Sequence, residues 1–536
     1  MRFSRIRSGL AIAWALPALL LPALAAAQLA PSTEGPRPPG LTLESALRQT
    51  LARNPNTLLQ QQQILAAEGL LLQARSRFDP VLSGSAGRTR ELRPLRRDEL
   101  DSLRFAGIYD VAAQTSAVNQ YRVGVDRTTE GGLGLGTNVA VTSANDSAQT
   151  VSGIPVQTST RVSFTLRVPL ARSSGREAVT AEVDAATEEL NAATLELAAT
   201  NAQNLLVATL SYWEVLSRQR RVEIARTAER RILDLIEEMR RLIAADQIPR
   251  AELELVLASR AERSAQRVGA EQALTEARRA LGRALGLPAQ DIASLPPVAD
   301  EFPDLTGGVP PGAAAQDSLE RRAIELRTDL AALRHREQAA RRRLDAARNG
   351  LRPAVDLNFS VSWQGLSEST DWTRFERGFN QSRQGPATGV TLGIEMPWAN
   401  QLARGALLAR AAGFDAATIR IRDLESGIVS NVAVSLANLR RSAEQLQAAG
   451  EAVERYRISL ANEQTKRRLG TATTIDVINV EDRLTSALLS EVGLRQAYAS
   501  AIAQLRFEIG ALVRRDGERF DVRIDALLDP RRSLED

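Results

Sequence analysis

The groups able to do covalent or acid–base chemistry are few. The chain has no cysteine and so no thiolate nucleophile, disulfide or lipid-bearing N-terminal Cys; it has one histidine in 536 residues. That residue, His335, sits in Arg334-His335-Arg336-Glu337, a charged helical face, and reads as solvated rather than catalytic. Gly132-Leu133-Gly134-Leu135-Gly136 resembles a nucleotide loop only loosely: no Lys-Ser/Thr follows and it lies inside a strand pattern. The carboxylates are scattered, with no pair at a spacing suited to general acid–base work. Asp476, two residues into a helical pattern, suits a helix dipole. These residues point away from an enzyme and imply no cofactor and no metal.

What such a chain can do is set by its elements. Leu469-Gly470-Thr471-Ala472-Thr473-Thr474 is a sharp reversal between two helical patterns, one running from Gly405 and one restarting at Ile475 and continuing to Leu512. Gly470 can take the left-handed conformation that closes a helix, and Thr473 or Thr474 can cap the next. A second long pattern, Gly175 to Arg241, carries Val183, Ala186, Leu190, Ala193 and Leu197 at steps of three and four. Ala244–Pro249 turns the chain into a return helix over Ala251–Leu285. Low aromatic content, 4%, fits long thin rods better than large globular cores.

Other stretches alternate with period two. Val162, Phe164, Leu166 and Val168 alternate with Arg161, Ser163, Thr165 and Arg167. Val355, Leu357, Phe359, Val361 and Trp363 do the same, as do Val390, Leu392, Ile394 and Met396, and Leu133, Leu135, Val139 and Val141. One face is apolar and the other is polar enough to line water. That pattern suits a transmembrane β-barrel with an aqueous lumen, or a half-buried soluble sheet. Residues 91–119 and 144–158 read as exposed polar loops. Trp363, Trp372 and Trp398 with Phe375 and Phe379 read as an aromatic girdle or as a small aromatic cluster.

Arg2, Arg5 and Arg7 before an apolar Leu10–Leu24 and Ala25-Ala26-Ala27 form a secretory signal over 1–27. Removing it lowers the formal charge from +4 to +1, so no case for nucleic acid arises. The expected organisation is then a Pro-rich linker over 28–41, a first repeat over 42–286, a Pro/Gly-rich connector over 287–317, a second repeat over 318–512 and a periplasmic tail over 513–536. Each repeat orders its elements as helix, strands, long helix, tip, return helix, an arrangement that implies internal duplication. The short helices are expected to stack end to end as Leu43–Arg77 with Ile475–Leu512, and Ser318–Asn349 with Ala251–Leu285, each pair matching a long rod of about 100 Å. Rods with such thin apolar stripes need several copies to close around an axis.

On these residues the chain resembles the TolC family of outer-membrane efflux proteins. The carriers are Leu469-Gly470-Thr471-Ala472-Thr473-Thr474-Ile475-Asp476-Val477, the strand starts at Phe78-Asp79-Pro80 and Arg352-Pro353, and the duplicated layout. The resemblance implies a mixed α/β membrane protein: a homotrimer whose twelve-stranded outer-membrane β-barrel, four strands per protomer, continues into a coiled-coil α-helical periplasmic tunnel. It implies partners as well, a periplasmic adaptor (membrane fusion protein) and an inner-membrane transporter, with outer-membrane lipid around the barrel. It places the tunnel constriction at Asp476, Asn479 and Glu252, with Asn479 standing where the family has a second aspartate. It places adaptor docking at Arg468, Leu469, Gly470, Thr471, Ala245 and Asp246. The tyrosine and arginine that hold the family's closed state correspond to Arg467 and Ala472, a departure that leaves Arg467 or Arg468 to substitute. The first half offers four strand segments, 80–90, 120–127, 132–143 and 159–169, of which the family's barrel would use two; Thr128–Gly132 reads as a bulge or as a hairpin in a longer loop. The function implied is an outer-membrane exit duct of an efflux pump or type I secretion system; the rival is a periplasmic coiled-coil adaptor without a pore.

Overall fold

The computed structural model describes residues 40–107, 109, 113–147, 156–246, 250–305, 313–369, 372–380, 384–516 and 519–522. The expected signal, nearly all of the Pro-rich linker, part of the connector and most of the tail lie outside the described residues. In chain order the elements are α1 (Leu43–Arg53), α2 (Pro55–Arg75), β1 (Val81–Pro94), α3 (Arg97–Phe105), β2 (Ala113–Thr128), β3 (Gly134–Asp146), β4 (Gln157–Pro169), α4 (Arg176–Ala244) and α5 (Ala251–Ala284). There follow α6 (Ala289–Ile292), α7 (Ala313–Leu326), α8 (Thr328–Gly350), β5 (Ala354–Glu368), α9 (Arg374–Asn380), β6 (Gln384–Glu395), α10 (Gln401–Arg468), α11 (Thr474–Glu508), β7 (Val513–Asp516) and β8 (Arg519–Val522).

The two long helices, α4 of 69 residues and α10 of 68, are each about 100 Å long at 1.5 Å per residue. The four rods form an open row. The stack of α2 and α5 packs on α4, α4 packs on the stack of α8 and α11, and that stack packs on α10. The stacking differs from the sequence expectation, because each return helix meets the leading helix of its own half. Asn54 Nδ2 donates to Ala284 O at 3.0 Å, joining α5 to the α1–α2 break. Arg327 Nη1 meets Glu508 Oε2 at 2.6 Å, joining α11 to the α7–α8 break. Pro55 does not kink a continuous helix; it starts α2 at a break capped by Asn54 Oδ1, which accepts from Asn56 N at 2.9 Å. Asn54 is buried, so Asn54→Ala removes a cap and leaves a buried carbonyl unpaired. We expect about 1–3 kcal/mol of destabilisation, read as a lower midpoint of thermal unfolding; an unchanged midpoint contradicts the junction.

The waist is where the chain builds a conventional core. Leu43, Leu47, Leu205, Tyr212, Trp213, Leu216, Leu281, Leu285, Val298 and Phe302 pack together there. Tyr212 Oη donates to Asp300 Oδ2 at 2.7 Å, and burial followed by that carboxylate pushes the phenol's pKa far up.

Strand number departs from expectation. Among the described residues the sheet holds six strands in the order β1-β2-β3-β4-β5-β6, all antiparallel, where four were expected. Thr128–Gly132 is not a bulge but the turn of a hairpin, whose strands belong to the sheet rather than to a longer loop. Thr129 N donates to Leu133 O at 2.8 Å, and Gly132 takes φ +89°, closing a tight β2–β3 turn. The ends of 91–119 and of 144–158 are strand as well: β1 reaches Pro94, β2 begins at Ala113, and α3 lies between them. Cross-strand pairing supplies the ladder bonds there, whatever the weak local alternation.

Register sorts the faces. Val162 pairs with Val139 and Trp363, Phe164 with Val361, Leu166 with Phe359, and Phe359 with Val390, so one face is apolar across the strands. Arg161, Ser163 and Thr165 pair with Gln364, Ser362 and Ser360 on the other. The apolar face is exposed: Leu82 is 74% accessible and Ile394 70%. Trp363 stacks edge-on to Phe164 at 6.0 Å, and Phe375 of α9 does so to Tyr121 at 6.3 Å. Trp372 and Trp398 are exposed near opposite ends of the sheet. No described helix is long and apolar enough to cross a membrane.

Candidate functional site

The end of the rods far from the sheet gathers the residues singled out in the sequence. At the second tip α10 ends as Gly470 enters the left-handed region at φ +78°. Gly470 N donates to Arg467 O and Thr471 N to Lys466 O, both at 3.0 Å, satisfying terminal carbonyls. Arg468, Leu469, Gly470 and Thr471 are all exposed, Leu469 at 74%. Thr473 then caps α11, and Asp476 closes a capping box: Asp476 Oδ2 accepts from Thr473 N at 2.9 Å and from Thr473 Oγ1 at 2.6 Å. Those bonds, the hydroxyl first, hold the Asp476 carboxyl below the usual aspartate range, so it stays charged. Asn479 lies three residues on, exposed on the same helix face.

At the first tip Ala245 and Asp246 are exposed, and Asp246 takes φ +53°, the left-handed position the second tip gives to glycine. Aspartate tolerates that conformation better than most residues. Glu252 belongs to the first turn of α5.

The structure joins the two tips through residues far apart in the sequence. Arg467 Nη2 on α10 meets Glu238 Oε2 on α4 at 2.6 Å. Ile478 of α11 packs into Ile232, Leu235, Ile236 and Met239 of α4 and Val256 of α5. One layer further from the tip, Arg263 of α5 pairs with Asp482, and Arg231 of α4 approaches Glu481 at 3.7 Å. Burial pushes the Glu481 carboxyl above the ordinary glutamate range, against the pull of Arg231 and Arg263. Glu238 carries no local signal, since its partner is 229 residues away. His335, half-buried, contacts Glu188 at 2.6 Å in an ion-pair ladder between α8 and α4, with Arg336 and Arg343 reaching Glu196 and Glu189.

Residues 319–511 match a family model described as Outer membrane efflux protein. Over those residues the chain is similar to that family. The alkaline protease secretion protein AprF of Pseudomonas aeruginosa is 24% identical over 327 residues, 60% of this chain and 64% of that protein; the match thus spans less than two thirds of that relative. Among solved structures, the outer membrane protein VceC of Vibrio cholerae is 16% identical with a TM-score of 0.61, covering 87% of this chain and 96% of that one. The CmeC outer membrane channel of Campylobacter jejuni is 12% identical with a TM-score of 0.63, covering 92% and 89%. The fold is that of these outer membrane proteins.

Proposed function

We propose that the chain is the outer-membrane exit duct of a tripartite efflux pump or type I secretion system. The observation that carries this is that both layers are open on the same two sides. Among the described residues β1 and β6 are hydrogen-bonded on one side only, and the rod row ends at α2 and α10, the helices attached to those strands. Leu58, Leu65 and Leu72, seven residues apart on α2, are exposed, as are Leu402, Leu408 and Ile419 on α10. A lone six-strand sheet cannot close, and an apolar, accessible face needs lipid. Three copies side by side would pair each β1 with a neighbour's β6 and make a wet pore running into a helical tunnel. Such a pore conducts passively and catalyses nothing.

The tip residues Arg468, Leu469, Gly470, Thr471, Ala245 and Asp246 would meet a periplasmic adaptor carrying an inner-membrane transporter. Asp476 would place three like charges across the narrow end, repelling anions and attracting cations in a poorly hydrated passage; Asn479 and Glu252 belong to the same constriction. Asp476→Asn keeps an acceptor for Thr473 and removes the charge, so cation selectivity should fall with the fold intact; unchanged selectivity takes Asp476 out of the gate. Arg467–Glu238 replaces the family's latch. Glu238→Ala should raise closed-state conductance severalfold, and the swapped pair Glu238→Arg with Arg467→Glu should restore it.

The deciding experiment is reconstitution of the purified mature chain: outer-membrane fractionation, heat-modifiable migration and single-channel conductance. A monomeric, water-soluble chain without conductance refutes the duct. It would favour the pore-free adaptor, which the exposed apolar sheet face already argues against.

A further inference from the structure

The first half of the chain contributes four strands where the second contributes two, and the surplus is the β2–β3 hairpin. We infer that this hairpin is a membrane-spanning part of the barrel wall, so that a trimer encloses eighteen strands. This rests on the trimeric duct proposed above.

The hairpin lies inside the sheet, paired on both sides along its length, from Val81↔Asp126 to Pro94↔Ala113 and from Gly134↔Arg167 to Ala144↔Gln157. Its strands have 16 and 13 residues, more than the ~9–11 that cross a bilayer. Its turn reaches the helix side of the sheet: a Cβ on Gly132 would meet Ser173 O at 2.8 Å and the Val179 side chain at 3.1 Å, at the start of α4. The hairpin therefore covers the full height of the wall. Tyr121, Val123, Val125, Leu135, Val139 and Val141 fall on the apolar face shared with Val162 and Trp363, and Arg122, Gly124, Asn138 and Ala140 fall on the face shared with Arg161 and Ser163. A hairpin standing free in an external loop has no need of an apolar face in register with its neighbours.

Width follows from strand number. At ~4.8 Å between strands and a tilt of ~40°, each strand takes ~6 Å of circumference. Eighteen strands then give a backbone diameter of ~36 Å, against ~24 Å for twelve. Inward positions are short on several strands, with Ser83, Ser85, Gly124, Gly136, Ser163 and Ser360 among them. Such a bore clears an α-helix of ~10–12 Å diameter and does not sieve small solutes.

The chain has no cysteine, so single substitutions report cleanly. In the reconstituted full chain, fluorophores on Val123→Cys and Val139→Cys should be quenched by nitroxide lipids, as on the controls Phe164→Cys and Leu392→Cys. Asn138→Cys should react with a membrane-impermeant thiol reagent. Removing residues 95–146, which lets β1 close on β4, should lower conductance about twofold and exclude polyethylene glycols that the intact pore admits. Quenching at the controls but not at Val123 and Val139, or an assembled deletion variant with an unchanged exclusion limit, overturns the eighteen-strand wall and leaves the duct standing. Unquenched controls sink the duct, and the wider wall with it.

Discussion

If the chain is the duct proposed above, Gly470→Val will abolish export while leaving the sheet and its assembly intact. Gly470 sits at φ +78°, and a Cβ added there meets nothing within 4 Å, so crowding is not the cause. The cost is conformational: the left-handed region costs an L-residue roughly 1–2 kcal/mol, and a β-branched one more. Valine relieves that strain by unwinding the end of α10, and Leu469, Thr471 and the Thr473 cap move with it. These are the exposed residues an adaptor would read. The sheet is about 100 Å away along α10 and shares no partner with the tip, so the two should not couple. Gly470→Asn, which tolerates the same backbone, should keep most of the export. Loss with Asn as large as with Val would mean that any side chain here blocks docking. Normal export by Gly470→Val would remove this tip from the docking surface.

The sequence announces features whose physics is local and conceals those decided by partners far along the chain. Gly470, Thr473 and Asp476 are legible because a left-handed closure and a capping box are written within seven residues. The β4, β5 and β6 faces are legible because their alternation is strict. β2 is half hidden: Ala113–Gln120 has no clean alternation, and only pairing with β1 and β3 makes it strand. The count of four strands per protomer failed there, at a turn whose meaning depends on what its flanks pair with. The stacking partners were hidden for another reason. Return helices of 34 and 35 residues are interchangeable by length, so length matching cannot choose between them. The choice is made by Asn54 and Arg327, single polar residues at helix breaks. Arg467 was visible as a basic residue near the tip, but nothing near it in sequence points to Glu238.

Arg327 yields the largest expected loss of stability. Its side chain is 10% exposed and pairs with Glu508, 6% exposed, at 2.6 Å, and with Asp329 at 2.7 Å; the Phe507 ring lies 5.1 Å below it. Burial pushes the guanidinium's pKa down, yet Asp329 and Glu508 more than offset this and hold it above the ordinary arginine range. A raised pKa on a cation means stability that is full below that range and lost only as pH rises through it, so no accessible pH frees this arginine. Mutation does. Arg327→Met leaves the Glu508 carboxylate buried without its cation, at a cost of about 3–5 kcal/mol. Arg327→Lys keeps the charge but not the fork that reaches both carboxylates, and should fall between. The discriminating variant is Arg327→Met with Glu508→Leu. Replacing both members of a buried pair by apolar groups can be nearly neutral, so the double substitution should recover much of the heat resistance that the single one loses. If Arg327→Met alone dissociates no earlier than the parent, α11 is not held to the α7–α8 break by this pair. If the double variant is as weak as the single one, Arg327 acts through its packing on Phe507 rather than through its charge.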